Sequence, residues 1–143
     1  MKDEKLSSVL HLLLHLGDAP APLPSESLAE MNQTNPVVVR RLLAGLRKAG
    51  LVSSGKGHGG GWILERDLGK ISVGDVYRAL GAPAFFRFGY RQEKPTCLLE
   101  KSVVSALEDA RAEAEGLLLR RLDALPLSHL AEELRGHMNR KKN

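Results

Sequence analysis

The residues with the most reactive chemistry are few and widely spaced. Cys97, the only cysteine, follows Lys94, Pro95 and Thr96. With Thr96 as a helix cap, Cys97 falls in the first turn, where backbone amides and the Lys94 ammonium would lower a thiol pKa. That suits a redox sensor; the other reading is a small buried apolar residue. His11 and His15 stand four apart, the spacing at which two imidazoles on one helix face can chelate a metal. With no third ligand in evidence, they read as helix-surface or core-edge histidines, and no metal is assigned. His129 and His137 carry no such signal. The run from Gly55 to Gly61 has five glycines in seven residues, the composition of a phosphate loop. Its order is wrong for one, since no helix follows and no Lys-Ser/Thr pair closes it. No Ser/His/Asp set, carboxylate pair or metal triad has a spacing that supports catalysis, so an enzyme is not expected.

Charge is the stronger signal. The chain of 143 residues carries a formal net charge of +4, unevenly spread. Between Met31 and Leu64 there is no acidic residue, while Arg40, Arg41, Arg47, Lys48 and Lys56 supply five positive charges. Between Cys97 and Arg135 eight acids oppose five bases, a net of −3. One segment can approach phosphates and another is repelled by them. A solvated helix face would explain the first run as well, but 34 consecutive residues without an acid favour nucleic-acid contact.

The elements that would position these groups follow from periodicity and punctuation. Leu6, Val9, Leu10, Leu13 and Leu14 line one face of a helix over residues 5–16, ended by Gly17 and the prolines at 20, 22 and 24. Ser25 can cap a short helix. Asn32-Gln33-Thr34 reads as a tight turn, and Asn35-Pro36 starts a third helix that Gly50 stops. Residues 51–54 and 62–64 are short strands around the glycine-rich tip. Ser72 caps a fourth helix, residues 81–95 form a loop or hinge, and a long helix spans 96–122. Pro126 breaks it, Ser128 caps a short helix to 134, and the basic end is a frayed tail. The fold class is mainly α with a small β-hairpin wing: a winged helix-turn-helix over residues 1–80, a hinge at 81–95, a dimerisation helix and short helix at 96–135, and a basic tail at 136–143.

On a helical wheel, Val39, Leu42, Leu43 and Leu46 of the third helix converge on a core. Val37, Arg41, Ala44 and Lys48 face away, flanked by Arg40 and Arg47. This is the arrangement of a recognition helix, with side chains near its start for base edges and cations for phosphates. The DNA-binding candidates are Asn35, Val37, Val38, Arg40, Arg41, Arg47, Lys48, and Lys56 and His58 of the wing. Val37 could meet a thymine methyl. Asn35 could meet an adenine edge, with capping favoured over that role. In the long helix Val103, Leu107, Ala110, Ala114 and Leu117 recur at alternating four- and three-residue steps, a seam for a two-fold partner or for the chain's own winged domain.

These motifs resemble those of the Rrf2 family of bacterial regulators. The likeness lies in Leu28-Ala29-Glu30, in the run from Asn35 to Leu43, in the run from Leu46 to Val52, and in the wing from Gly57 to Leu64. Residues 71–80 match the helix that follows, and 125–130 loosely match the family's closing pattern. At His58 the family more often has proline. The resemblance implies a homodimeric winged-helix repressor with a crossing long helix. Cluster-binding members carry three cysteines between the fourth helix and the long one; Cys97 is alone here, so no [2Fe–2S] cluster or other cofactor is expected, as in the cluster-free, YwnA-like branch.

The sequence therefore reads as a cytoplasmic DNA-binding regulator acting on double-stranded DNA as a homodimer, with Cys97 a candidate oxidant sensor. One alternative is a winged-helix protein–protein module, and another is a metal or iron–sulfur sensor with ligands shared between subunits. The longest apolar stretch is too short to cross a bilayer, no secretory signal opens the chain, and one cysteine fits a reducing compartment.

Overall fold

A computed structural model describes residues 4–57, 60–91 and 94–142. Six helices and one hairpin follow in order: α1 (Lys5–Asp18), α2 (Ser25–Met31), α3 (Pro36–Lys48), β1 (Val52–Ser54), β2 (Trp62–Leu64), α4 (Val73–Ala79), α5 (Leu98–Asp123) and α6 (Leu127–Lys141). A 3-10 turn (Leu68–Lys70) precedes α4. The strands pair antiparallel with Val52 opposite Leu64 and Ser54 opposite Trp62.

The apolar periodicities converge on one core. Val9, Leu12 and Leu13 of α1, Leu28 of α2, and Val39, Leu43 and Leu46 of α3 are wholly buried, with Ile71 and Val76 beside them. Helix α1 outlasts its expected stop, because Gly17 lies inside it. A Cβ there would sit 2.5 Å from Leu68 Cδ1, so this glycine admits the 3-10 turn instead of ending a helix. Pro24, not Ser25, is the N-cap residue of α2. The Ser25 hydroxyl is buried and accepts the indole N–H of Trp62 at 3.0 Å, which satisfies a donor that would otherwise be lost in the core.

Helix α3 has both of its expected ends. Asn35 caps it, its side-chain oxygen accepting the Val38 amide at 3.1 Å, and Pro36 occupies the first turn. At the other end Gly50 has φ of +73°. The Leu51 amide bonds back to Leu46 at 3.0 Å and that of Gly50 to Arg47 at 3.1 Å, a Schellman closure. Ser72 caps α4 in a reciprocal pair with Asp75.

The C-terminal third departs most from expectation. Residues 81–91 and 94–95 lack regular structure, but the first of these stretches is tethered. Phe85 stacks on Tyr77 with centroids 4.4 Å apart, the Tyr77 hydroxyl donates to the Pro83 carbonyl, and that of Tyr90 donates to Glu108 of α5. The end of α5 returns to the winged domain. The Val73 amide donates to the Leu125 carbonyl at 2.9 Å and that of Leu127 to Ile71 at 2.8 Å. Arg78 holds Asp123 through two 2.7 Å hydrogen bonds, which keep that carboxyl below its usual pKa. Leu127 is wholly buried. Pro126 is the residue before α6, not Ser128, and α6 continues to Lys141, so the frayed basic tail expected at the end is helix through that residue.

Candidate nucleic-acid interface

With Val39, Leu43 and Leu46 buried, the rest of α3 must face outward. Val37 is 56% exposed, Arg41 and Lys48 are exposed, and Val38 and Ala44 are half-buried. Among the described residues neither the Arg41 nor the Lys48 side chain makes an ion pair or hydrogen bond. A guanidinium on the open face of a helix, one turn from its N-terminus, is placed to reach a groove edge. Asn35 is exposed, but its carbonyl oxygen is committed to the cap.

The flanking arginines face the wing. Arg40 lies 3.9 Å from Glu26 of α2, a loose and exposed pair of little energetic weight. The Arg47 guanidinium sits 6.0 Å from the Trp62 ring centroid, at the outer limit of a cation–π contact. Both line a groove of about 380 Å³ whose other wall is Ser54, Gly55, Gly57, Gly60 and Gly61. Two cations opposite a wall of backbone and one hydroxyl form a concavity suited to an anionic strand. Lys56 stands exposed at the wing, and His58 lies outside the described residues.

The wing glycines serve the fold first. The Leu23 and Trp62 amides exchange hydrogen bonds of 3.1 and 2.8 Å with each other's carbonyls, so the segment before α2 pairs with β2. A Cβ on Gly61 would lie 2.8 Å from the Leu23 backbone. Neither this pairing nor the Ser25–Trp62 bond is foreseen from the sequence. The only hint there is an indole N–H on a strand facing the core, which must find some partner.

Cys97 is the N-cap residue of α5, one position earlier than expected, and Thr96 does not cap the helix. Its side chain is exposed, so within one chain it is not a packing residue. The amides of Glu100 and Leu99 pull its pKa down, slightly opposed by desolvation; Lys94 is not among the causes. The seam residues Val103, Ala110, Ala114 and Leu117 are exposed and Leu107 is half-buried. Helix α5 buries no residue at all over 26 positions.

A family model described as "Rrf2: Iron-dependent Transcriptional regulator" matches residues 3–133. The chain belongs to the Rrf2 family. Among relatives of this Rrf2 chain, YwnA of Bacillus subtilis, named for an HTH-type transcriptional regulator, is 32% identical over 109 residues, covering 76% of this chain and 80% of YwnA. The HTH-type transcriptional regulator IscR of Xenorhabdus nematophila is 37% identical over 75 residues, 52% of this chain and 44% of IscR. This match spans less than half of IscR's length. A crystal structure of a transcriptional-regulator candidate from Lactobacillus plantarum superposes with a TM-score of 0.79, covering 94% of this chain and 91% of that one at 22% identity, which bears on the fold alone. Its place in the Rrf2 family makes the chain a transcriptional regulator of the DNA-binding, winged-helix kind.

The family description raises iron, and the donor set answers poorly. An iron–sulfur cluster takes mainly thiolate ligands, four in its commonest form. The chain has one cysteine, and no group of three or more His, Cys, Asp or Glu side chains converges among the described residues. The residues present in one protomer do not fit such a cluster.

Proposed function

We propose that two copies of the chain bind an inverted repeat in double-stranded DNA and repress transcription, acting by binding in the cytoplasm and not by catalysis. The observation that carries the DNA-reading part is the open face of α3, where the Arg41 and Lys48 side chains engage nothing among the described residues while the opposite face is buried. Arg41 reaches base edges, Val37 meets a thymine methyl, and Lys48, Arg40, Arg47 and Lys56 contact phosphates. Supporting the dimer, α5 is about 39 Å long at 1.5 Å per residue, yet none of its residues is fully buried in its own chain. Leu99 at 79% exposure and Leu117 at 64% mark an apolar face that a second copy would cover.

Selection of bound fragments should return half-sites whose centres lie one helical turn or a multiple apart; a single asymmetric half-site would refute the two-fold reading. On the selected site, Arg41→Ala should weaken specific binding by about 1–3 kcal/mol and relax preference at one position. Lys56→Ala should weaken all sequences alike and lower the salt slope by about one. Electrophoretic mobility or fluorescence anisotropy across a salt series separates the two, and equal affinity of Arg41→Ala and the parent removes Arg41 from base readout.

Cys97 is the candidate signal input. Its thiolate would attack a peroxide oxygen, the O–O bond would break with release of water or alcohol, and the resulting sulfenic acid could condense with a second thiol. The change falls where the tethered loop meets the dimer helix, so it would alter the spacing of the two α3 helices. Peroxide should then lower operator affinity reversibly in the parent and leave Cys97→Ser unaffected. Equal responses in both proteins would exclude the thiol as the sensor.

A further inference from the structure

Four-residue spacing alone leaves His11 and His15 as two helix-surface imidazoles, but the folded chain brings them together at a defined point. Their Nε2 atoms lie 3.0 Å apart, with ring centroids at 4.5 Å. On the far side of His11, Nδ1 lies 2.8 Å from the side-chain oxygen of Asn32, in the turn between α2 and α3. That oxygen only accepts, so the Nδ1 carries the proton and the Nε2 lone pair points at His15. His15 favours its neutral form, chiefly through burial and then through His11, with the Asp18 carboxylate opposing.

We propose that His11 and His15 form a two-imidazole site on α1 for a late first-row divalent cation, of the Zn²⁺, Ni²⁺ or Cu²⁺ class, bound through both Nε2 atoms. Imidazole suits these metals, and their other positions are filled by water. At Zn–N of 2.0–2.1 Å, a tetrahedral ion separates two ligand nitrogens by about 3.3–3.4 Å. The 3.0 Å separation opens to that by small rotations on a partly exposed helix face. On binding, the hydrogen bond between the two rings is replaced, and the His15 proton moves to Nδ1. Asn32 is the outer partner that fixes the His11 tautomer, the role a carbonyl or carboxylate plays behind most metal-bound histidines. The Asp18 carboxylate, near enough to act on His15, adds favourable charge without being a ligand. Because Asn32 lies in the turn that leads into α3, occupancy also braces the start of the helix that presents Arg41.

The test is titration of the purified full-length protein with Zn²⁺ in competition with a chromophoric chelator, alongside thermal unfolding. One ion should bind per chain. His11→Ala and His15→Ala should each lose tenfold or more in affinity, and Asn32→Ala about tenfold. Cys97→Ser should bind as the parent does. Zn²⁺ should raise the unfolding midpoint of the parent and not that of His15→Ala. Circular dichroism checks that each variant folds, which is expected because His11 is exposed and His15 only half-buried. The site is overturned if either histidine variant binds Zn²⁺ as tightly as the parent, or if Cys97→Ser abolishes binding. Parent-like affinity in Asn32→Ala would overturn the role given to Asn32. All of these readouts are independent of DNA binding.

Discussion

Leu43→Ala should destabilise the folded chain by about 2–5 kcal/mol, measured as a fall in urea midpoint at unchanged slope. Leu43 is wholly buried in the cluster shared by α1, α2, α3 and α4, where its loss leaves a cavity that four packed elements cannot easily close. A domain of this size has about 5–15 kcal/mol of stability in total, so the variant would sit near its unfolding threshold. The same side chain sets which face of α3 turns outward, so any loosening reaches Arg41 directly. Val37→Ala, on the exposed side of the same helix, should change the midpoint very little. A loss of under about 1 kcal/mol for Leu43→Ala would mean that α3 is not seated in the core as described.

The second large effect is expected at the seam of α5. Ala110 is exposed in the protomer, at the middle of the apolar seam from Val103 to Leu117. Ala110→Glu places a carboxylate near its own image across the proposed two-fold, where two unpaired charges would have to be buried. Sedimentation or light scattering should then report a monomer. Operator affinity should fall by about 10²–10⁴, because the second recognition helix is no longer tethered to the first. Circular dichroism and the urea midpoint of the winged domain should hardly change, since the side chain points away from the core. A variant that remains dimeric would move the interface to another surface.

The local features are legible in the sequence because the signals that carry them act over a few residues. Asn35-Pro36 and Gly50 bound α3 through a cap, a fixed φ and a left-handed closure, and Ser72 with Asp75 starts α4 in the same way. The spacing of Val39, Leu43 and Leu46 sets the buried face, and so exposes Arg41 and Lys48 on the other. The acid-free stretch gives the sign of the partner. The family motifs add a fold to a pattern already consistent with it.

What only the tertiary structure decided depends on residues far apart in sequence. Gly17 looks like a helix stop and proves to be a gap for Leu68; Ser25 looks like a cap and is the partner of Trp62, 37 residues away. The return of α5 onto α4 through Arg78 and Asp123, 45 residues apart, gives no periodic signal in either segment. The same holds for the stacking of Phe85 on Tyr77 and the Tyr90–Glu108 bond, for the pairing of Leu23 with Trp62, and for the contact of His11 with Asn32. Periodicity and punctuation report how a segment satisfies its own backbone and which face it must bury. Which distant group completes a buried donor or orients an imidazole is settled only when the whole chain packs, because those contacts follow from shape and not from local sequence.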